Sequence, residues 1–477
     1  MTDIFYGIYY RKLMELNANS NIERVNRVQG MLSNIVNVGG TNNPAKNLWR
    51  PLPRVGVDGN ARVVAVDGGV RELELRNGGA LIVARAIAVN NVGVEPIADV
   101  TIKLVPVYTP MVKWVLMSLI EDEVALKAIE SGKYDALLMD GSLYAKVTFL
   151  IHELILTKGF LDLYYIPEVI KALDSLYQLL IRARELGVKV IFVSKDSRLK
   201  IYKDYVLFNA LKEFILDDAP FINVDKGLID ILNRGIDWYS VVWIRSYRNK
   251  LISLAKEYNG VHRDLIRMGI RMSLSQSISD ISFLEELARM QGLGKGITRR
   301  LLIGAMDAYL NYKSLTQVEN LLKQVRDRIE DSAGLRDVDD YGSIGIDEQL
   351  NMVRNALHNF PRILMTYIKL NNNDTPIAVE IPYYDWTMFD NAIPWKLLYD
   401  KIDVSDQLNI LVSMYRDSIH YNYLLWLAHE YADFKSSDFL GYAVTAIDKL
   451  KIPAKRRFGL AFNMDLNPSF DTDSESL

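Results

Sequence analysis

The clearest pattern in the chain lies between residues 61 and 196, where apolar and polar positions change period several times. The segments ARVVAVDGG (61–69), RELELRNG (71–78) and ALIVARAIAV (80–89) predict three short strands, with tight turns at Gly68-Gly69 and Asn77-Gly78. In the second, Leu73 and Leu75 alternate with Glu72, Glu74 and Arg76, the pattern of a half-buried strand. Helical spacing then runs from Met111 to Ser131 and closes at Gly132. A short apolar strand, YDALLMDG (134–141), ends in a carboxylate. An amphipathic helix covers 166–187, with Gly187 past its end, and VKVIFVSKD (188–196) reads as another buried strand. The order β-β-β-α-β-α-β predicts an α/β fold with a mixed sheet, hairpins first and parallel crossovers after.

The flanks are mostly helical. Residues 1–35 carry Leu, Ile and Val at helical spacing, and the Gly/Asn/Pro-rich stretch 37–47 reads as a linker. Residues 240–335 predict helices with no strand, TPIAVEIP (375–382) a late strand, and the region from Ile419 two more helices. The acidic end FDTDSESL is expected to be disordered. This gives an N-terminal segment and linker (1–50), a core (51–235) and a large helical insertion with a basic face (236–370). A return strand with C-terminal helices (371–465) and the tail (466–477) complete the chain.

Composition narrows the class. The 477 residues suggest about three domains at roughly 150 residues each, or one elaborated domain. A net charge of −3 and 49% hydrophobic residues exclude a disordered chain and a globally basic coat protein. With no cysteine, thiolate zinc sites, disulfides and Cys nucleophiles are excluded. No apolar run reaches membrane length and the N-terminus lacks the pattern of a signal peptide, so a soluble cytoplasmic protein is expected.

Candidate chemistry sits at strand ends. Asp67 lies at the end of the first strand and Asp140 at the end of the fourth, each before glycine, and these strands are expected to be neighbours. Glu123 on the intervening helix is the third candidate, with Glu121 as its competitor, since only one of them faces the sheet. Clustered carboxylates repel unless they share a proton or a divalent cation, and all-oxygen ligation suits Mg²⁺ or Mn²⁺. Two such ions suit phosphodiester hydrolysis. The plainer alternative makes both aspartates turn and cap residues.

The motifs VAVDGG (64–69), LLMDGSL (137–143), VIFVSKDS (190–197) and YLLWLAHEYADF (423–434) together resemble the NurA nucleases, in order and over most of the chain. The resemblance implies a ribonuclease-H-like core and a Mn²⁺- or Mg²⁺-dependent deoxyribonuclease. It implies Asp67, Glu123 and Asp140 as metal-binding and catalytic residues, with Lys195 and His429 as further catalytic groups. Lys195 would oppose the phosphate charge, and His429 would protonate the leaving oxygen or orient water. Alternatives are a strand-edge lysine and a packed helix histidine. The first motif reads DGG where the family more often has DGS, so a hydroxyl is missing at Gly69. That departure motivates a second reading, a catalytically silent nucleic-acid-binding or structural member of a repair complex. An RNA-cleaving enzyme of the same fold is a further alternative.

Seven Lys/Arg stand against two acids between Val241 and Arg271. Arg263, Arg267 and Arg271 recur every four residues, with Trp243, Tyr247 and Tyr258 upstream, the composition of a single-stranded DNA channel or of a solvated helix face. Two weaker patterns are set aside. DVDDYGSIGIDE (337–348) reads as an acidic loop rather than an EF-hand, and GLGKGITRR (292–300) as a helix-to-helix turn rather than a nucleotide loop. Since no ATP-binding loop is present, any processive action needs an external motor. The resemblance implies single- and double-stranded DNA as substrates, 5′-to-3′ trimming, a homodimer, and the hexameric HerA ATPase as partner in double-strand-break end resection. The apolar face of Ile4, Phe5, Ile8, Tyr9 and Leu13 is a candidate docking surface for it, or core packing.

Overall fold

The computed structural model describes residues 33, 48–52, 61–106, 110–132, 134–156, 162–195, 197, 199–218, 226, 245–274, 278–290, 292, 294–304, 315–333, 345–387, 396–398 and 402–450. The expected N-terminal helix, the linker, Trp243, the acidic loop at 337–344 and the acidic tail lie outside these residues. The chain divides into two compact units, one of residues 1–52, 196–299 and 367–377, the other of 53–195, 300–366 and 378–477.

In chain order the first elements are β1 (Trp49–Arg50), β2 (Val63–Glu74), β3 (Ala80–Asn90), β4 (Ile97–Val105), α1 (Pro110–Glu130), β5 (Ala136–Asp140), α2 (Leu143–Leu156), α3 (Asp162–Leu186) and β6 (Lys189–Ser194). Then come α4 (Ile201–Asp218), α5 (Arg245–Glu257), α6 (Arg263–Leu274), α7 (Asp280–Met290), β7 (Gly296–Thr298), β8 (Arg300–Ile303), α8 (Leu315–Ala333) and α9 (Ile346–Asn359). The last are β9 (Pro361–Lys369), β10 (Ile377–Thr387), β11 (Lys396–Leu398), α10 (Ser405–Ser413), α11 (Tyr423–Ala432) and α12 (Ser436–Leu450).

The second unit is built on a mixed sheet in the order β9-β10-β6-β5-β2-β3-β4. Its central strands are apolar on both faces: Val63–Val66 and Ala136–Met139 are buried throughout, as parallel strands covered on two sides must be. β2 runs parallel to β5 with Val66 opposite Met139, and β5 parallel to β6 with Asp140 opposite Val193. β2–β3 and β3–β4 are antiparallel. No helix among the described residues is long and apolar enough to cross a membrane.

Two expectations need correction. There is no turn at Gly68-Gly69: β2 runs straight through, with Gly68 opposite Ala86 and Gly69 opposite Arg85. Successive strand residues face opposite sides, and here each side is crowded. A Cβ on Gly68 would stand 2.6 Å from Glu121 Cγ on α1, and one on Gly69 would collide with the Ala432 carbonyl of α11. The pair therefore serves close packing by two layers. The hairpin turn is the one at Asn77-Gly78, where Gly78 has φ 88°. The third strand of the expected order is β4, in a segment that sequence pattern did not single out. The second correction concerns residues 240–335, which contain β7 and β8 as well as helices. GLGKGITRR is thus not a helix-to-helix turn. Its Gly296–Thr298 pairs with β1 and with the end of β9 in the first unit.

Candidate metal centre

The parallel register of β2 and β5 sets the site. One residue beyond the Val66–Met139 pair, Asp67 and Asp140 emerge side by side. Asp67, an odd-numbered residue of β2, shares the Gly69 face, which α11 covers. From α11, His429 places Nδ1 at 2.8 Å from Asp67 Oδ2. With the Asp67 carboxylate as acceptor, Nδ1 is the donor of this bond and Nε2 is the ring nitrogen directed to other partners. One ligand atom from each of Asp67, Asp140 and His429 falls within 4.8 Å of the others. Asp67 is buried and Asp140 half-buried, while His429 is exposed.

The electrostatics record this crowding. Enclosure by protein, then the neighbouring Asp67 charge, push the Asp140 carboxyl up to about 6, against the pull of Lys195 and His429. The hydrogen bond to Asp67 raises the His429 imidazole above its ordinary value. Lys195, on the bend that follows β6, holds its Nζ 5.0 Å from the centre of the Tyr421 ring.

The structure does not bring Glu123 to this group. Glu123 is directed to α3, where Lys171 lies 3.5 Å from its carboxylate. Glu121 is the residue that packs on Gly68, and its carboxyl is pushed up to about 8, chiefly by burial and further by Asp67 and Asp122, against the opposing pull of Lys146. Lys146 of α2 donates to Asp122 Oδ1 at 2.7 Å and to Glu121 Oε2 at 3.2 Å. Burial alone would discharge this lysine; Asp122 and Glu121 outweigh it and raise its pKa. Buried carboxyls on neighbouring residues of α1 are thus tied to α2 by one ammonium group.

Tyr421 was not among the sequence candidates. It is 4% exposed, its backbone takes φ 40°, and among the described residues its hydroxyl is buried without a hydrogen-bond partner. Burial, Asp140 and Asp67 all raise its pKa well above the usual tyrosine value, so the hydroxyl keeps its proton. A left-handed backbone at a bulky residue stores strain, of about 1–3 kcal/mol, and such strain clusters at functional sites. Asn422, next in the chain, caps α11 by accepting from Leu425 N–H at 3.1 Å. Residue type alone gives no signal for Tyr421; the backbone conformation and the orphaned hydroxyl do.

A family model described as the NurA domain matches residues 61–434. The chain belongs to the NurA family. Asp67, Glu121, Asp140, Lys195, Tyr421 and His429 all lie within the NurA span. Solved NurA structures are similar along nearly the whole chain. The NurA nuclease from Sulfolobus solfataricus is 16% identical and covers 93% of this chain and 97% of its own, with a TM-score of 0.47. NurA crystallised with manganese is 15% identical, covering 91% of this chain and 98% of its own, at a TM-score of 0.36. NurA bound to dAMP and manganese is 12% identical, covering 93% and 96%, at a TM-score of 0.36. Among curated proteins none matches the chain.

The other sequence candidates lie in the first unit. Arg263, Arg267 and Arg271 are on α6, the first and last exposed and Arg267 half-buried. Arg267 donates to the Lys256 carbonyl at 2.6 Å. With Lys256 and Arg271 it lines a hollow of ≈ 340 Å³ walled by Ile252, Ala255 and Ile270. Tyr247 is a residue of α5.

Proposed function

We propose that this protein is a metal-dependent DNA nuclease. The observation that carries the reading is the convergence of Asp67, Asp140 and His429 within 4.8 Å, inside the span that matches the NurA family. The donor set fits a divalent ion on its own chemistry. Two carboxylates are crowded enough to raise one of them to about 6, and a cation relieves that repulsion. Two carboxylate oxygen donors suit Mn²⁺ or Mg²⁺, with the His429 imidazole beside them as a proton-transfer group. Asp67 and Asp140 would hold the ion or ions, two by our reading, with Glu121 in the place that sequence spacing gave to Glu123.

Bound there, the metal supplies Lewis-acid polarisation of the phosphodiester and neutralises developing charge. The protein's own groups do the rest. Asp67 fixes the His429 ring through Nδ1, so that Nε2 exchanges the proton of attacking water or leaving oxygen. Lys195 sets a positive charge against the phosphate, and the Tyr421 hydroxyl donates a hydrogen bond to a phosphate oxygen. Lys146 keeps Glu121 against Gly68, beside Asp67.

We read the β2-β3-β4-α1-β5-α3-β6 core as ribonuclease-H-like. The substrates are single- and double-stranded DNA, cut by single-strand endonuclease and 5′-to-3′ exonuclease action. Arg263, Arg267 and Arg271 contact the phosphate backbone, with Trp243 and Tyr247 as stacking rings. A homodimer acts beside a HerA-type hexameric ATPase in the resection of double-strand breaks. The test is cleavage of end-labelled single-stranded DNA and RNA of one sequence, with Mn²⁺, with Mg²⁺ and with chelator. Metal-dependent loss of the DNA alone is expected. Inertness towards DNA in both metals would overturn the reading.

A further inference from the structure

Glu380 belongs to β10, the strand paired with β6, and its side chain is 1% exposed. Among the described residues no cation faces it. Its carboxylate instead accepts from the Ser142 hydroxyl at 2.6 Å and from Tyr144 N–H at 2.7 Å. Leu143 N–H is a further donor to it. These donors belong to the turn that leaves Asp140 and opens α2. The first N–H groups of a helix have no partner within it, and the dipole there favours negative charge. Ser142 Oγ takes the next of them, accepting from Ala145 N–H at 3.0 Å. On the other side of the turn Gly141, at φ 104°, donates to the Val193 carbonyl at 2.8 Å. The backbone beyond Asp140 is therefore held from β6 at Gly141 and from β10 at Ser142–Tyr144.

Burial pushes the Glu380 carboxyl up to about 7, against the pull of the hydrogen bonds from Ser142, Tyr144 and Leu143. Helix capping alone does not call for such a group, since Ser142 already caps α2 and a neutral side chain suffices. A carboxylate adds two acceptor oxygens on one rigid plane, 236 residues from Tyr144 in sequence, and so ties the turn to a strand on the far side of β6.

We propose that Glu380 is a positioning residue for the metal centre, clamping the Ser142–Tyr144 turn so that Asp140 leaves β5 in one fixed direction. This rests on the reading of Asp67 and Asp140 as metal ligands. Glu380 touches neither substrate nor ion and acts only through the turn. Groups that orient metal ligands typically account for about 10–100-fold in metal affinity or activity.

The test uses the full chain with Glu380→Ala, Glu380→Gln and Ser142→Ala. Mn²⁺ binding is read from the electron paramagnetic resonance of free Mn²⁺, alongside kcat, KM for a single-stranded DNA and the melting temperature. Glu380→Ala and Glu380→Gln are expected to weaken Mn²⁺ binding about 10–100-fold and to lower kcat, with KM for DNA within about twofold. Excess Mn²⁺ should recover part of kcat. Ser142→Ala removes one donor and leaves the Tyr144 and Leu143 bonds, so a loss of a few-fold is expected. Wild-type Mn²⁺ affinity in the folded Glu380 variants would overturn the proposal. If those variants do not fold, unchanged Mn²⁺ affinity in Ser142→Ala overturns it instead. Wild-type protein that binds no Mn²⁺ would remove the functional reading itself and this proposal with it, whereas normal Mn²⁺ binding by wild type and variants alike removes this proposal only.

Discussion

His429 Nδ1 and Asp67 Oδ2 lie 2.8 Å apart across 362 residues of chain. The bond joins the second strand of the sheet to a helix near the C-terminus. It also means that α11 completes the site rather than merely covering the sheet, because its Ala432 carbonyl seats on Gly69 while its histidine meets Asp67.

The crowded acids have a consequence for stability. Asp140 is held at about 6, Asp122 at about 6 and Glu121 at about 8, all above their ordinary values. A carboxyl raised by folding contributes stability that is fully present below its unfolded pKa, near 4, and is lost as pH rises through the folded value. Without divalent ions the melting temperature should therefore fall between pH 5 and pH 8.5. Mn²⁺ competes with these protons, so its stabilising shift should be larger at pH 8 than at pH 5.5. Calorimetry at several pH values with and without Mn²⁺ checks this; a shift of equal size at both would count against the carboxylates as the ion's ligands.

Glu121 and Glu123 are two residues apart and should behave differently. Glu121→Gln is expected to lower kcat about 10–100-fold, since this carboxyl packs on Gly68, next to Asp67 in β2, feels the Asp67 charge and is held by Lys146. Glu123→Gln breaks only a solvent-facing pair with Lys171, worth about 0–1 kcal/mol, and should leave kcat within about twofold. Steady-state cleavage of a fluorescent oligonucleotide by both variants separates them. The reverse ranking would restore the assignment drawn from spacing.

Tyr421→Phe removes a buried hydroxyl that lacks a partner among the described residues and keeps the ring beneath Lys195. Taking away an unsatisfied buried group is neutral or mildly stabilising, so the melting temperature should hold or rise. The loss of one hydrogen-bond donor to the transition state should cost about 100-fold in kcat, with KM for DNA unchanged. A drop in melting temperature with full kcat would make the hydroxyl structural.

Gly69→Ser supplies the hydroxyl that the family resemblance leads one to expect at this position, and should not raise activity. Its Cβ would collide with the Ala432 carbonyl, which belongs to the helix that carries His429. A destabilisation of about 1–3 kcal/mol and weaker nuclease activity are expected, read by urea unfolding and by cleavage. A more stable and more active variant would show that the close approach of α11 is not required.

Much of the core was legible because its signals are local. Apolar runs bounded by glycine marked β3, β5 and β6, and the shared register of β2 and β5 follows from reading them as neighbouring parallel strands. Pattern misled where tertiary packing set the residue. Gly68-Gly69 looks like a turn because glycine permits one, yet it is required here by a side chain on one face and a carbonyl on the other. β4 escaped notice because its pattern is inverted. Val100, Ile102 and Leu104 are exposed, while Asp99 and Lys103 turn to the helices, where Lys127 and Glu168 pair with them. The choice between Glu121 and Glu123 depends on the rotation of α1, which spacing does not fix. Tyr421 and Glu380 act through geometry that residue type does not announce.

The central claim is that Asp67 and Asp140 hold a divalent ion for DNA cleavage. The most direct measurement is single-turnover cleavage of a labelled single strand in Mn²⁺ by Asp67→Asn and Asp140→Asn, with DNA binding measured on the same preparations. Both variants should be folded, should bind the strand within about threefold of wild type, and should cleave at least about 1,000-fold more slowly, as expected when a metal-ligating carboxylate loses its charge. Cleavage at the wild-type rate by either folded variant would contradict the account.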